Sequence, residues 1–308
     1  RGGARVVVLE KGLVAAEQSS RNWGWIRQQG RDPAEMPIMA EAQRIWQDLS
    51  RETNAQIGLT QSGTTYFARS EKAVRGYENW LPHAAANGVN SRILSRDEVT
   101  ALYPDLAQVP QAALHTSTDF RAEPWVAVPA LAEIALREGV QIVEHCAVRC
   151  LDITGGKVSG VVTEKGTVRS PRVVLAGGAW SSLFLRNHGV ALPQLSVRSQ
   201  VAATVPLPDV GQCAASTPNL AFRRRADGGY TLAPNMTSEL FVGPDAFRAL
   251  PKFLAQLRLD PFGCRIKPFA PKDFPDAWGT ARRWAGDAQT PFERMRILDP
   301  KPVPRIIA

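Results

Sequence analysis

The chain has 308 residues, 44% of them hydrophobic and 21% charged, which is the composition of an ordinary globular protein. This length corresponds to roughly two domains of about 100–200 residues, and the composition excludes a disordered chain. Its 37 Lys and Arg against 29 Asp and Glu give a formal net charge of +8.

The basic excess is concentrated near the C-terminal end. Residues 248–308 contain twelve basic and six acidic side chains, so this segment carries +6 of the charge. Such a region can attract nucleic acid, anionic membranes or acidic small molecules. It contains no nucleic-acid recognition motif and no basic stripe interleaved with aromatic residues. We therefore expect a solvated surface and no nucleic-acid partner.

The sequence gives no sign of secretion, a membrane span or a metal site. The chain begins Arg1-Gly-Gly-Ala without the pattern of a signal peptide, and no apolar run approaches the roughly 18 residues of a membrane helix. Cys146 and Cys150 would lie about 13 Å apart on a strand, too far to share a zinc ion. We expect a cytoplasmic protein with reduced thiols, no metal and no transmembrane segment.

The N-terminal half alternates strand and helix signals. Residues 5–10, with three successive valines, predict a strand buried on both faces of a parallel sheet. Ser95 and Glu98 form a capping box at the start of a short helix. The helix after Glu123-Pro-Trp125 is predicted to have Pro129 in its first turn. The other predictions here are a strand over 63–68 and helices over 34–53 and 71–86.

The C-terminal half is predicted to contain more strands than helices. Glycine turns separate the three strands of a predicted antiparallel meander over 147–154, 158–163 and 167–169. A second buried strand over 172–176 leads into a glycine bend and a helix. We expect the arginine-rich strand near 223–225 to be a solvated edge strand guarded by charge. The other predicted elements are strands over 141–144, 196–205, 221–225 and 230–233 and a helix over 245–257.

The first candidate site residue is Glu10, the acidic residue that ends the first strand. In dinucleotide-binding folds such a carboxylate accepts hydrogen bonds from two hydroxyl groups of the adenosine ribose. The glycine-rich turn that accompanies it lies about 20 residues earlier, whereas only nine residues precede Glu10. An ordinary strand with a surface glutamate is the alternative interpretation.

The second candidate is the segment 19–31, which combines small, polar, aromatic and cationic residues. Backbone amides near its serines and glycines can bind phosphate oxygens, and Trp23 and Trp25 can cover a flat ring system. Arg27 offers a planar fork to a carboxylate. A solvated loop whose two tryptophans fill a core is the alternative.

The third candidate is the segment 175–181, in which a strand turns sharply into a helix through Gly177 and Gly178. Glycines let a backbone approach a ligand closely, and the start of the following helix favours an anion. A tight turn without a ligand is the alternative. The G-x-S-x-G spacing of a serine hydrolase is absent.

Other charged groups are interpreted as structural. Asp119 and Glu123 bracket Arg121, which predicts a local ion pair rather than a catalytic dyad. The four histidines are scattered without a metal-binding motif.

Together and in this order, the three segments resemble the flavin-dependent D-amino acid oxidase family, which includes glycine and sarcosine oxidases. Glu10-Lys11-Gly12 resembles the end of the family's second Rossmann strand. Ser19-Ser20-Arg21-Asn22 and the residues that follow resemble its flavin-facing loop. Residues 173–181 resemble the family's A-G-x-W-S strand-turn, the most specific local signature here. The resemblance covers nearly the whole chain.

The resemblance implies a mixed α/β fold, with a Rossmann-like FAD-binding domain that carries the meander and a mainly antiparallel substrate domain. The first domain would comprise 1–33 and 120–193, and the second 34–119 and 194–308. Glu10 would bind the FAD ribose, and the backbone around Val148 would meet the adenine. The cofactor-binding residues implied are Glu10, Lys11, Ser19, Ser20, Arg21, Asn22, Trp23, Gly24, Val148, Ala176, Gly177, Gly178 and Trp180.

The resemblance also implies a reaction. An amino acid or N-alkyl amino acid would be oxidised at its C–N bond by hydride transfer to FAD, and water would hydrolyse the imine. Oxygen, a quinone or a partner subunit would accept the electrons. A cation would pair with the substrate carboxylate bidentately, and Arg27 is the first choice for this catalytic role and Arg223 the second. A peripheral position at the inner membrane is the alternative to a purely cytoplasmic location.

The sequence departs from the family at both ends. The glycine-rich pyrophosphate turn is missing before Glu10, and the chain stops near Pro300, where the family continues. We therefore expect these 308 residues alone to retain little FAD through gel filtration. A non-catalytic subunit or an incomplete fragment of an oxidase is one alternative function. An NAD-dependent dehydrogenase is the second, although the meander argues for FAD.

Overall fold

The computed structural model describes residues 3–53, 56–234, 238–259, 263–272 and 274–296. Short 3-10 turns precede two of its helices. The α-helices are α1 (Met36–Glu52), α2 (Glu71–Ala86), α3 (Arg96–Leu102), α4 (Pro124–Arg137), α5 (Ser181–Asn187), α6 (Pro244–Leu259) and α7 (Pro291–Arg294).

The strands are mostly short, and they outnumber the helices within the described ranges. In the first half of the chain they are β1 (Val7–Leu9), β2 (Trp25–Ile26), β3 (Thr60–Gln61), β4 (Thr64–Ala68), β5 (Ser91–Ser95), β6 (Ala112–Thr116), β7 (Phe120–Arg121) and β8 (Gln141–Val143). In the second half they are β9 (Val148–Thr154), β10 (Lys157–Thr163), β11 (Gly166–Arg169), β12 (Val197–Arg198), β13 (Ala202–Ala203), β14 (Ala214–Ser216), β15 (Leu220–Arg224), β16 (Tyr230–Pro234), β17 (Glu239–Phe241) and β18 (Arg265–Lys267).

The chain divides into two compact units, each assembled from separate segments. Unit 1 comprises Arg1–Gln18, Ala132–Ser199 and Met236–Val303, and unit 2 comprises Ser19–Leu131, Gln200–Asn235 and Pro304–Ala308. The predicted domain boundaries differ from these units in two main ways. The prediction placed 19–33 and 120–131 in the domain that corresponds to unit 1, and it placed 236–303 in the domain that corresponds to unit 2.

Unit 1 contains three small sheets. The strands β1 and β8 pair in parallel, and β9, β10 and β11 form the predicted antiparallel meander. The third sheet has the order β12-β17-β18. A core cluster of Ala147, Trp180, Leu183, Phe184 and Phe292 packs beside the meander, which buries the residues that follow the glycine bend.

The parallel strand predicted over 5–10 is confirmed as β1, but its predicted burial is wrong, and so is the strand predicted over 172–176. The side chain of Val8 in β1 is 44% exposed, because β1 has only β8 as a partner among the described strands. Residues 172–176, which the structure describes, form no strand. Val174 is 90% exposed. A run of apolar residues predicts burial only where neighbouring strands cover it, and none lies beside these residues in the described part of the chain.

Unit 2 is built on a seven-stranded sheet with the order β13-β16-β15-β14-β4-β6-β5. Its neighbours pair antiparallel, except that β14 and β4 run parallel. One face buries an aromatic cluster that includes Phe67, Tyr103, Phe222 and Tyr230. A separate three-stranded sheet has β7 in the middle, between β2 and β3.

Several predicted elements of unit 2 are confirmed. The helix predicted over 71–86 is α2, and Ser95 caps α3 in the predicted capping box. Pro129 lies inside α4 rather than in its first turn, because the helix already begins at Pro124. The arginine-rich strand β15 is not a solvated edge strand, since β14 and β16 flank it and Arg223 is fully buried.

Within the described residues, none of the helices combines the length and the apolar character that a membrane span requires.

Candidate functional site

The end of β1 is fixed by the turn that follows β8. The carboxylate Oε1 of Glu10 accepts the N–H of Gly12 at 2.7 Å, and the carbonyl oxygens of Glu10 and Gly12 accept the N–H groups of Cys146 and His145, both at 2.8 Å. The second carboxylate oxygen of Glu10 has no hydrogen-bond partner within the described ranges. The strand therefore ends in a held carboxylate with one unengaged acceptor.

Lys11 joins this strand end to the glycine bend at 176–180. Its ammonium lies 6.0 Å from the centre of the Trp180 ring. It donates to the carbonyl oxygens of Met295 and Arg296 at 2.9 and 3.0 Å and pairs with Glu17. The first and third sequence candidates therefore lie together in unit 1. The ammonium group of Lys11 is already engaged by protein groups.

The glycine bend itself is open at its surface. Ala176, Gly177 and Gly178 are exposed, and Gly178 has a φ of +54°, which favours glycine. A Cβ atom added at Gly178 would have only the side-chain oxygen of Gln18 within 4 Å. Trp180, in contrast, is buried against Phe292 at a ring-centre distance of 6.0 Å, so its indole anchors the bend in the core.

Val148, the predicted adenine contact, begins β9 beside this core. Its pairing with Thr163 follows a register shift in the β9–β10 ladder, which interrupts regular hydrogen bonding at that point.

In unit 2, the loop 19–31 is held by its own side chains. The amide of Asn22 bridges the loop, since its Nδ2 donates to the Ser19 carbonyl at 2.7 Å and its Oδ1 accepts the Gly24 N–H at 2.8 Å. The rings of Trp23 and Trp25 meet edge to face at 5.3 Å. Ser20 and Arg21 also make interactions of their own.

Arg27, which belongs to the same loop, lies over the ring of Tyr66 in β4. Its guanidinium is 5.6 Å from the centre of the Tyr66 ring and donates to the Gln29 carbonyl. Burial lowers the pKa of Arg27 and raises the pKa of Tyr66 to about 12. The arginine stays charged at neutral pH because a guanidinium is a very strong base.

Asp119 fixes the backbone beside Arg27. The two carboxylate oxygens of this fully buried residue accept the N–H groups of Gln28 and Gln29 at 2.8 and 3.3 Å. Burial raises the pKa of Asp119, and these backbone hydrogen bonds oppose that shift. The sequence predicted Asp119 as part of a local ion pair; the structure instead uses it to hold the loop.

Arg223 lies in the core with all five of its N–H donors engaged. It donates to both oxygens of Glu123 at 2.8 and 3.0 Å, to the carbonyl oxygens of Trp23 and Arg224, and to the hydroxyl of Thr231. This arrangement leaves Arg223 no free donor for a substrate carboxylate within the described ranges. Its second-choice catalytic role therefore has no geometric support.

The predicted local ion pair forms between Arg121 and Glu123, with 3.1 Å between Nη1 of the arginine and Oε1 of the glutamate. Sequence reasoning missed Tyr66 and the Glu123–Arg223 pair. Tyr66 belongs to the strand predicted over 63–68, but no local pattern connects it with Arg27, 39 positions earlier. The positions of Glu123 and Arg223 differ by 100.

Comparison with known proteins places the chain in a family. Residues 1–307 match the family model described as "FAD dependent oxidoreductase", and the chain belongs to that family. Its cofactor is FAD.

Curated relatives are similar over part of the chain. The mouse (Mus musculus) mitochondrial sarcosine dehydrogenase is 28% identical over 66% of this chain and 23% of its own length. The D-amino acid dehydrogenase of Rhizobium rhizogenes is 30% identical over 50% of this chain and 38% of its own length. The chain thus spans well under half the length of these two relatives.

Solved structures share the fold over nearly the whole chain. The L-amino acid deaminase of Proteus myxofaciens, solved with anthranilate, has a TM-score of 0.88 and 31% identity over 96% of this chain and 67% of its own. The L-amino acid deaminase of Proteus vulgaris has a TM-score of 0.90 and 26% identity over 99% of this chain and 72% of its own.

The residues of unit 1 fit the adenosine part of FAD. Glu10 places an unengaged carboxylate oxygen at the carboxyl end of a parallel strand, where ribose hydroxyls bind in dinucleotide folds. The nearby bend at Gly178 is exposed, and the side chain of Gln194 donates to the Gly178 carbonyl at 2.9 Å. A nucleotide can approach both features.

Gly24→Ala tests whether the loop in unit 2 depends on its close backbone contact. Gly24 has a φ of +73°, and an added Cβ would overlap the Ala122 carbonyl oxygen and press on Pro124. We expect the free energy of unfolding, measured by urea denaturation, to fall by about 3 kcal/mol.

Gly76→Ala is the matched control. Gly76 lies inside α2 with open space around it, so alanine should raise the free energy of unfolding by about 0.5–1 kcal/mol. Equal stability of the two variants would contradict this account of the loop.

Proposed function

We propose that the chain provides the FAD- and substrate-binding residues of an enzyme that oxidises the C–N bond of an amino acid or an N-alkyl amino acid. The observation that carries the proposal is the meeting of the Glu10 strand end and the glycine bend in unit 1. Family membership and the relatives that are named for sarcosine and amino acids support it. When bound, FAD supplies the two-electron acceptor for the substrate hydride.

In the proposed cofactor site, the free oxygen of Glu10 accepts a ribose hydroxyl. The backbone of Ala176, Gly177 and Gly178 lies along the nucleotide, and the start of β9 at Val148 meets the adenine. The cofactor roles of Lys11, Trp180 and residues 19–24 remain predictions from the family resemblance.

Arg27 is the proposed partner of the substrate carboxylate. Its guanidinium has one protein hydrogen bond, to the Gln29 carbonyl, so other donors are available for a bidentate contact within the described structure. Stacking on Tyr66 and the Asp119-held backbone fix its position. The substrate would bind as the neutral amine, so that no side chain has to remove a proton first.

The electron acceptor in this proposal is oxygen, a quinone or a partner subunit. The relatives bear names of both dehydrogenases and oxidases. An assay of the same preparation with oxygen alone and with an added quinone distinguishes the first two acceptors.

Glu10→Gln should weaken FAD binding without unfolding unit 1. The amide oxygen can still accept the Gly12 N–H, but loss of the charge weakens the bond to the ribose. We expect the Kd for FAD, measured by quenching of flavin fluorescence with the full-length gene product, to rise about 5–10-fold. The thermal midpoint without FAD should stay unchanged. The exposed Glu138→Gln is the control, and an unchanged Kd in Glu10→Gln would refute the ribose contact.

Arg27→Lys should impair substrate binding more than turnover. Lysine keeps the charge but cannot make the planar two-point contact, so we expect KM for the amino acid to rise about tenfold, which corresponds to roughly 1.4 kcal/mol. The kcat should change less than threefold. Arg69→Lys, at an exposed position, is the control. A KM equal to that of the wild type would remove Arg27 from this role.

For the location of the protein, we propose peripheral binding to an anionic membrane through unit 1. Helix α6 exposes Phe247, Leu250 and Leu254 on one face, and Trp278 packs beside Phe247 with 55% of its surface exposed. Exposed Lys252 and other basic side chains lie in the same segment. Aromatic and apolar residues together with Lys and Arg are typical of helices that bind in the interface of an anionic bilayer.

Vesicle flotation checks this membrane proposal. The wild type should float with vesicles that contain 30% phosphatidylglycerol. At the same ionic strength, a smaller fraction of the protein should float with vesicles of phosphatidylcholine alone. Phe247→Ser should reduce flotation several-fold, whereas Ile38→Ser, which alters an exposed apolar residue of α1, should not. If the wild type does not float with anionic vesicles, the proposed membrane-binding role of the α6 surface is wrong.

A further inference from the structure

The side chain of Gln194 bridges the glycine bend and the helix that follows it in unit 1. Its Nε2 donates to the carbonyl oxygen of Gly178 at 2.9 Å, and its Oε1 accepts the backbone N–H of Ser182 at 3.1 Å. Gly178 begins the 3-10 turn of the bend, and Ser182 lies in the first turn of α5. One side-chain amide therefore spans the point at which the exposed bend becomes a helix.

A third hydrogen bond fixes the segment that carries Gln194. The hydroxyl of Ser182, a buried residue, donates to the carbonyl oxygen of Leu192 at 3.1 Å. Pro193, between Leu192 and Gln194, restricts its own backbone and that of the residue before it. The three hydrogen bonds close a ring between residues 178–182 and 192–194, which we call the amide clasp.

The bend has little else to hold its conformation in the described part of the chain. Gly178 has a φ of +54°, and a Cβ atom added there would meet only the side-chain oxygen of Gln18, at 4.0 Å. Two adjacent glycines, Gly177 and Gly178, have more backbone freedom than any other pair of residues. Trp180 anchors the C-terminal side of the bend in the core. The clasp is therefore the tertiary contact that restrains the glycines themselves.

The helical end of the clasp lies in a dense network of polar contacts. One carboxylate oxygen of Asp245, in α6, is 3.5 Å from the hydroxyl of Ser182. Both oxygens of the buried Asp276 accept the N–H of Asp245, at 2.9 and 3.0 Å. Arg186 and Arg248 pair with the Asp245 carboxylate. Ser182 is thus held firmly, and the clasp connects the exposed bend to this network.

We propose that Gln194 is a positioning residue for the cofactor site, which holds the glycine bend in the conformation that receives the nucleotide. A binding site that is ordered in advance loses less conformational freedom when its ligand binds. Gln194 therefore raises the affinity for FAD by acting through Gly178. The inference deepens the proposed function and rests on it for the assignment of the bend to FAD.

Gln194→Met tests the clasp. Methionine has nearly the same length and volume as glutamine but no amide, so the hydrogen bonds to Gly178 and Ser182 are lost. The Kd for FAD of the full-length gene product, measured by quenching of flavin fluorescence, should rise about tenfold. Gln141→Met is the matched control, since Gln141 is an exposed residue of β8 in the same unit. Its Kd should stay within about twofold of the wild type.

Hydrogen exchange of the FAD-free protein separates local loosening from a general loss of stability. The N–H of Ser182, which donates to Gln194, should exchange at least about fivefold faster in Gln194→Met than in the wild type. Exchange in the β9–β10 ladder should stay unchanged. A residue that merely stabilised the whole fold would speed exchange in both places and leave the FAD affinity of the folded protein as it was.

Ser182→Ala provides a second variant of the same ring. It removes the hydrogen bond to the Leu192 carbonyl and keeps the Ser182 N–H, so the Kd for FAD should rise about threefold. Because both substitutions open one ring, the double variant should bind FAD no more weakly than Gln194→Met alone. Additive effects of the two substitutions on the Kd would overturn the proposal.

The remaining outcomes distinguish this inference from the proposed function. A wild type that binds FAD, together with an equal Kd in folded Gln194→Met, would disprove the role of Gln194 and leave the proposed function intact. Unchanged exchange of the Ser182 N–H in Gln194→Met would also disprove that role. A wild type that binds no FAD would disprove the proposed function, and the positioning role would fail with it.

Discussion

The ion pair between Arg223 and Glu123 is the interaction on which the organisation of unit 2 depends. Arg223 comes from a central strand of the seven-stranded sheet, and Glu123 immediately precedes α4. The same guanidinium binds the Trp23 carbonyl, and the same carboxylate binds the Ala226 N–H. One buried pair therefore holds the loop 19–31, the start of α4 and the turn between β15 and β16. Removal of one partner from such a pair costs about 3–5 kcal/mol.

This arrangement separates structural arginines from those available to a ligand. Arg223 is saturated by protein acceptors, whereas Arg27 and Arg121 keep unsatisfied donors within the described residues. Arg27 is stacked on Tyr66, and Arg121 lies opposite Trp25. Unit 2 thus contains guanidinium groups that protein contacts position and that keep N–H donors without a protein partner in the part of the chain that the structure describes.

Local sequence patterns predicted local structure well. The capping box at Ser95, the helix α2 and the three-stranded meander depend on residues close together in the chain, and all are confirmed. The parallel pairing of β14 with β4 was not predictable in this way, because about 150 residues separate the two strands. The exposure of Val174 was missed because apolar composition does not reveal whether a neighbouring strand exists.

The candidate site was predictable only in part, because several of its contacts join residues that are far apart in the sequence. Glu10 and the glycine bend stand out in the sequence through their family resemblance, and the structure brings them together through Lys11 and Trp180. The roles of Arg223 and Asp119 depend on partners 100 and 91 positions away. Composition and spacing carry no information about such contacts.

The most direct measurement is the visible absorption of FAD bound to the full-length gene product after anaerobic addition of amino acids. The account predicts that an amino acid or an N-alkyl amino acid bleaches the flavin band near 450 nm, and that NADH does not. A flavin band that no amino acid changes, or one that only NADH bleaches, would contradict the assignment.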